Sequence, residues 1–397
     1  MGWTLWDWPF LDETHHSKAR EVAAFAAGIA PHGAGPLADE ARGHVRALGA
    51  AGLLDIAVPE PGAGGYAFDV RALCAAREGL AYASVLADTM FAMQGLGTGP
   101  IALFGSDALR DRYLGPARRG EKVAGLAISE PEAGSDVAAM ATEARDDGDA
   151  YVLTGEKTWI SNAGIADHYV VLARTGEAPG ARGLTAMVVD ADTPGLKAEP
   201  FDLIVPHPIG RLIFDGARVP KTSVIGRPGE GFKLAMATFD HFRPTVGAAA
   251  IGVARRAMDE TLARVASRRM FGRTMAESES VQTRLADCQV DIETSALAVY
   301  RAAWTKDVKG GRATREASIA KLVATEAAQR VVDAAVQLHG GMGVIEGGII
   351  GQLYREVRPM RIYEGASEVQ KLVIARDVLA EAAATAQTDG KAGGSAA

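Results

Sequence analysis

The hydrophobic period of this chain changes twice, and that change limits its fold more than any other feature. From about Asp12 to Glu121, apolar residues recur at helical spacing in Ala-rich segments, with breaks at Pro31, Pro59 to Gly65 and Pro100. Leu109 to Leu114 reads as a short helix with Arg110, Asp111 and Arg112 on its wet side. Near Val123 the pattern turns to short runs rich in Val, Ile, Thr and aromatics. These are Tyr151 to Ser161, His168 to Arg174, Leu184 to Ala191 and Arg211 to Val219. Turn signals stand at Pro194-Gly195 and Pro228-Gly229. After Gly231 the helical period returns and lasts to about Glu381. The predicted class is α+β, with helices over 1–122, a β domain over 123–228 and helices over 229–382. The tail, 383–397, is Ala, Gly, Ser and Thr with little to bury, so it is expected to be disordered. No internal repeat is visible.

Composition narrows the function classes. At 397 residues, 48% hydrophobic and 23% charged, the chain suits a soluble globular protein of two or three domains. A net charge of −7 argues against a nucleic-acid partner, which needs a basic face. Cys74 and Cys288 fit no metal spacing, and no metal is predicted. Cys288 falls on the apolar stripe Val281, Leu285, Cys288, Ile292, which reads as core. Two unpaired cysteines favour a reducing, cytoplasmic compartment. Met1 to Phe10 carries Trp3, Trp6 and Trp8 but no basic leader pattern, so it does not read as a signal peptide. No uncharged apolar run approaches roughly 18 residues, so no membrane insertion is expected.

Four segments carry possible chemistry. Ala127 to Asp136 combines small residues, Gly134, and the hydroxyls of Ser129 and Ser135 where helix gives way to strand. It suits a ligand, and it equally suits a capped turn. In Trp159-Ile160-Ser161, a large ring and a hydroxyl two residues apart share one side of a strand, as a flat heterocycle would need. A core tryptophan is the plain alternative. Gln337 to Gly343 ends a helix in a Gly cluster that lets backbone approach a phosphate, or that merely caps the helix. Arg361 to Ser367 places Glu364 beside the flexible Gly365, just before a helix opened by Ser367 and Gln370 at capping-box spacing.

Taken together, and in register from about residue 12 to 381, these segments resemble the acyl-CoA dehydrogenase family. Phe239 to Pro244 is similar to the family's helix along the thioester ligand. Arg268 to Gly272 is similar to its segment that reaches a neighbouring subunit's flavin. The resemblance implies an N-terminal helical domain, a middle β-barrel-like domain, a C-terminal four-helix bundle and non-covalently bound FAD. It implies a homo-oligomer, usually a tetramer, that takes an acyl-CoA or related acyl thioester. Electron-transfer flavoprotein would be the electron acceptor. The reaction implied removes the pro-R α-proton and a β-hydride to leave a trans-2-enoyl thioester. Glu364 would be the base, and its backbone amide would help polarise the thioester carbonyl.

By the same resemblance, Ile128, Ser129, Ser135, Trp159, Ile160 and Ser161 contact the flavin. Arg268 and Phe271 reach a neighbour's FAD, and Gln337, Gly340 and Gly341 line its diphosphate and adenosine. Ala366, Ser367 and Glu368 cover the adenosine end. Ser135, Asp240, Phe242, Arg243, Gly365 and Arg376 border the ligand. Some family branches carry the base at the position of Phe242, which cannot take a proton. Two features depart from the family pattern. Pro206-His207-Pro208 replaces a Ser-Asp-Thr-like run, and Glu279 stands where a glutamine commonly helps bind the neighbour's FAD. A flavin oxidase or monooxygenase, a carrier-protein-linked dehydrogenase and a catalytically idle binding homologue are the competing readings.

Overall fold

The computed structural model describes residues 2–29, 33, 35–62 and 65–393, with side chains to 385. The first region holds α1 (Glu13–Ala26), α2 (Leu37–Ala50) and the single turn α3 (Leu54–Ala57). The two-residue strands β1 (Pro61–Gly62) and β2 (Gly65–Tyr66) follow, then α4 (Val70–Ala83), α5 (Val85–Phe104) and α6 (Asp107–Arg118). Asp12, Asp69, Ser84 and Ser106 cap α1, α4, α5 and α6 by accepting from amides of the first turn. Helix α5 is buried from Leu86 to Ala102, apart from half-buried Thr89. Two of its glycines admit neighbours. A Cβ at Gly97 would come within 2.6 Å of Ala124, and one at Gly95 within 2.4 Å of the Phe242 ring. The β domain and the third region therefore both lie directly on α5.

The middle region forms one eight-stranded sheet. Its strands are β3 (Ala124–Ala127), β4 (Glu143–Asp147), β5 (Ala150–Ser161), β6 (His168–Arg174), β7 (Leu184–Asp190), β8 (Leu196–Pro200), β9 (Ile209–Pro220) and β10 (Val224–Ile225). The order is β10-β7-β6-β4-β5-β9-β8, and β3 joins β6 in parallel. The four runs read as strands from sequence are β5, β6, β7 and β9. The others escaped notice because they are short or mostly exposed and polar, as in Glu143–Asp147.

The last region is α7 (Gly231–Ser267), the hairpin β11 (Arg269–Met270) and β12 (Arg273–Thr274), α8 (Glu279–Trp304), α9 (Thr314–His339), α10 (Ile349–Val357) and α11 (Ser367–Gly393). Helices α7, α8, α9 and α11 pack as a bundle, with α10 against α9. Val281, Cys288 and Ile292 are buried along α8, as their spacing predicts. Helix α11 runs on to Gly393, well past the expected end near 382. The run Ala382-Ala383-Ala384 has high helix propensity and continues the hydrogen-bonded ladder although it stays exposed. Residues 394–397 of the expected tail lie outside the described residues. No helix among the described residues is long and apolar enough to cross a membrane.

The N-terminal tryptophans have a role that their sequence context did not reveal. Trp3 and Trp6 donate their indole N–H groups to the buried Glu78 carboxylate of α4, at 3.1 and 3.2 Å. Tyr300 of α8 donates to its other oxygen at 2.7 Å, and Arg255 of α7 pairs with it as well. One buried carboxylate thus ties the N-terminal strap to three helices. Glu78→Gln sets an amide N–H₂ against these donors. We expect it to lower the unfolding free energy of the FAD-loaded protein by about 1–3 kcal/mol, the cost of unsatisfied buried donors. Urea unfolding at neutral pH checks this, and an unchanged midpoint contradicts it.

Candidate active site

The β-domain side of the site is fixed from beneath by a buried lysine. Lys157 of β5 donates to the Ile128 carbonyl at 3.0 Å and to Glu130 Oε1 at 2.7 Å. Glu130 also accepts from the Ala141 and Thr142 amides, at 2.6 and 2.9 Å. Burial pulls the Lys157 ammonium down to about 8 against the attraction of Glu130. The Thr158 amide donates to the Ser129 carbonyl at 2.9 Å. The loop after β3 is thereby clamped to β5, with Ser129 half-buried and Ser135 exposed.

At the end of β5 the register shifts. Lys157 faces Leu212 and Ile160 faces Gly210, so two β5 residues oppose Arg211 alone. Trp159 sits in this bulge at φ +57°, a region bulky side chains rarely enter, and its ring is 61% exposed. Ser161, two residues on, is half-buried. Ile160 is 2% exposed and packs into the core, which corrects its expected place on the cofactor. Only its backbone remains for a ligand. Asn162, not singled out before, closes the strand at φ +64°. Its side chain donates to the Ala124 carbonyl at 2.9 Å, and its amide to the Pro208 carbonyl at 2.6 Å.

In the last region, Glu364 stands at φ +52° and Gly365 at φ +91°, in the loop before α11. Lys321 of α9 donates to the Gly365 carbonyl at 2.9 Å. The Gln370 amide group donates to the Glu364 and Gly365 carbonyls at 3.2 and 3.0 Å. Ser367 gives its hydroxyl to Glu326 at 2.6 Å, and Arg361 binds the same carboxylate. The expected capping box of Ser367 and Gln370 is therefore not formed. Both side chains help hold the loop, with the Ser367 hydroxyl proton given to Glu326. Glu364 Oε2 is buried without a hydrogen-bond partner among the described residues. Burial raises the Glu364 carboxyl above its ordinary range, opposed by Arg77, then Lys321 and Arg243.

Helix α7 carries Asp240, Phe242 and Arg243. Asp240 is buried, 3.5 Å from Arg243 and 3.6 Å from Arg312. Phe242 is 0% exposed, packed edge-on against Phe68 and against Gly95 of α5. A small cleft of about 20 Å³ lies beside this loop, lined by Thr89, Pro206, His207, Glu356, Pro359 and Tyr363 among others. The departure at Pro206-His207-Pro208 is thus a wall of this cleft. Burial pushes the His207 imidazole down to about 4, so it is neutral near pH 7.

The remaining expected residues lie at the surface. Phe271 is 94% exposed at φ +50°, followed by Gly272 at φ +80°, which makes the tight turn between β11 and β12. Arg268, Gln337, Gly341, Glu368 and Arg376 are exposed, and Ala366 is half-buried. A Cβ on Gly340 or Gly341 would meet no described atom within 4 Å, so this backbone is open to approach. Glu279 is exposed in the first turn of α8, where the helix dipole favours a carboxylate.

Sequence reading passed over one buried charge cluster. Arg77 of α4 grips Asp88 of α5 with two bonds of 2.8 and 2.9 Å, and donates to Thr245 of α7 at 2.9 Å. The available signal was a charge inside each of two apolar helices, which must find a partner when buried.

Three family profiles match this chain: the acyl-CoA dehydrogenase N-terminal domain over 12–121, the middle domain over 125–217 and the C-terminal domain over 229–379. The chain belongs to the acyl-CoA dehydrogenase family. It is similar to a 3-(aryl)acrylate reductase of Clostridium sporogenes, 39% identical over 80% of this chain and 85% of that one. It is 36% identical to a probable acyl-CoA dehydrogenase of Mycobacterium leprae, over 96% and 100%. Its fold is similar to that of butyryl-CoA dehydrogenase from Megasphaera elsdenii, with a TM-score of 0.84, 29% identity and coverage of 96% and 100%. A glutaryl-coenzyme A dehydrogenase bound to glutaryl-CoA gives a TM-score of 0.85 at 30% identity, over 94% and 97%.

This is therefore an FAD-dependent oxidoreductase, and its residues fit the cofactor. An exposed indole forced outward by a strained bulge is a surface for a flat ring, and the open Gly340-Gly341 backbone suits a diphosphate. Trp159→Ala should weaken FAD binding to the apoprotein roughly tenfold, the worth of one aromatic contact plus its buried area. Flavin fluorescence titration measures it, and unchanged affinity removes Trp159 from the site.

Proposed function

We propose that this protein oxidises a saturated acyl thioester, carried by coenzyme A, to its trans-2-enoyl thioester. The observation that carries this reading is half-buried Glu364, whose Oε2 is shut off from solvent with no hydrogen-bond partner among the described residues, while the charges of Arg77, Lys321 and Arg243 favour its carboxylate form. An α-proton beside a thioester is weakly acidic until the carbonyl oxygen is polarised. The Glu364 amide is the protein's donor to that oxygen, a fixed dipole at the place where charge develops. The Glu364 carboxylate then accepts the α-proton. FAD, when bound, supplies the acceptor for the β-hydride. Ile128, Ser129, Trp159 and Ser161 orient its ring, and Ser135 borders both ring and ligand. Asp240, Arg243, Gly365 and Arg376 border the thioester.

Phe242 fills the space between α5 and α7, which favours a short or reshaped acyl group. The assembly we propose is a homo-tetramer in the cytoplasm, with electron-transfer flavoprotein as acceptor. Arg268 and Phe271 complete a neighbour's FAD site, together with Gln337, Gly340 and Gly341. Exposed Phe271, and Val290 with Leu297 two turns apart on α8, give an apolar surface for such contacts.

An anaerobic panel of acyl-CoAs tests the reading. At least one should bleach the bound flavin and yield the 2-enoyl thioester by mass spectrometry. Failure of every thioester to bleach it contradicts the proposal. Bleaching followed by recolouring in air at the rate of turnover would make the protein an oxidase.

A further inference from the structure

The small cleft beside the base loop holds a polar atom that nothing else in the protein uses. His207 Nε2 is buried without a hydrogen-bond partner among the described residues. A buried polar group left unpaired costs stability, so it calls for a partner from outside the chain. The ring is also carried on fixed backbone. Pro206 and Pro208 flank it, each with its own φ locked by the ring. The His207 amide donates to the Val205 carbonyl at 2.9 Å. The Pro208 carbonyl accepts at 2.6 Å from Asn162, the residue just after β5.

The rest of the lining narrows what that partner is. Thr89 of α5 lines the same cleft. Thr98, Thr238, Thr261 and Thr325 each give their hydroxyl to the carbonyl four residues back in their helix, whereas Thr89 makes no such bond among the described residues. Its hydroxyl is a second open group. Two valines and two prolines supply apolar walls. Glu356, buried and accepting from Gln352 at 3.0 Å, lines the cleft too. An anionic ligand group is therefore disfavoured, since it would meet a carboxylate and an imidazole kept neutral by burial. At about 20 Å³ the space takes one oxygen-sized group and no length of chain. Tyr363, the residue before Glu364, completes the lining, so the cleft adjoins the base loop.

Resting on the reading of this protein as an enzyme that oxidises acyl-CoA, we propose that the cleft binds an uncharged hydroxyl group carried by the acyl chain, with His207 Nε2 and Thr89 as its partners. A hydroxyl both donates and accepts, so it pairs with either tautomer of a neutral imidazole and with a threonine hydroxyl. The hydroxyl stands beyond Cβ, because Cα and Cβ are the atoms that lose hydrogen. His207 and Thr89 thus determine specificity, and the proton transfer stays with Glu364.

The test compares second-order rates of anaerobic flavin reduction on matched substrates. Butyryl-, valeryl- and hexanoyl-CoA are set against their freshly prepared ω-hydroxy counterparts, with glutaryl-CoA as the anionic control and FAD content measured for each variant. For at least one chain length the wild type should favour the hydroxylated thioester about tenfold or more, because the unsubstituted chain leaves the buried nitrogen unpaired. His207→Leu and Thr89→Val should each lower that ratio. His207→Gln, which keeps a polar nitrogen at similar reach, should retain part of it. A merely structural role lowers both rates together and leaves the ratio unchanged, and that result overturns the proposal. If the cleft holds only solvent water, the wild type reduces hydroxylated and unsubstituted chains alike, which overturns it too. So does a preference for glutaryl-CoA that His207→Leu abolishes, since the ligand class is then anionic. If His207→Leu loses its FAD, the wild-type ratio and its change in Thr89→Val decide the matter. Flavin bleached by unsubstituted thioesters but indifferent to the hydroxyl overturns this proposal alone. Flavin that no thioester bleaches overturns the proposed function, and the role of the cleft with it.

Discussion

A carboxylate buried in protein is costly unless opposite charge or hydrogen bonds replace the lost water. Glu364 meets that demand with charge. Arg77, Lys321 and Arg243 arrive from three different helices, and each depends on the packing of its own element. The loop itself sits in strained backbone, held through its carbonyls by Lys321 and Gln370. Much of the C-terminal bundle and of the α4–α5 pair can be read as support for this one side chain. Even the N-terminal strap takes part, since Glu78 stands next to Arg77 on α4 and is tied to α7 and α8.

The β domain meets the same need by different means. Trp159 is also forced into left-handed backbone, by a bulge instead of a loop, and the result is an aromatic ring turned toward solvent. Lys157 and Glu130 hold the facing loop with buried charge. Strain of this kind persists only where surrounding contacts over-determine it, and it gathers at functional sites. Trp159, Asn162, Phe271 and Glu364 are the non-glycine residues with positive φ among those described. Three of the four were already assigned to the cofactor or the chemistry.

The legible part of this protein was what local pattern encodes. His168 to Arg174 is a strand with the bounds its β-branched and aromatic residues suggest, and the α8 stripe through Cys288 is buried as its period requires. Glu364 was visible only through resemblance, since an isolated Glu before a helix is ordinarily a solvated loop residue. What failed to show was partnership across the chain. Ser367 and Gln370 have capping-box spacing, yet Glu326 and the loop carbonyls compete successfully for them. Arg77 and Asp88 stand out as charges in apolar surroundings, but sequence does not say that Thr245 completes their set. Ile160 shows the limit of motif transfer, because its side chain belongs to the core while Trp159 beside it is exposed.

The account stands or falls on Glu364 as the proton acceptor. Glu364→Gln keeps the side-chain shape and the backbone amide and removes only the accepting charge. Anaerobic stopped-flow compares flavin reduction in mutant and wild type with the same acyl thioester, at matched FAD content. The account predicts retained FAD and ligand binding, with reduction slowed about 10² to 10⁴-fold, the usual contribution of a positioned general base. Reduction at nearly the wild-type rate would mean that another group takes the proton, and would contradict it.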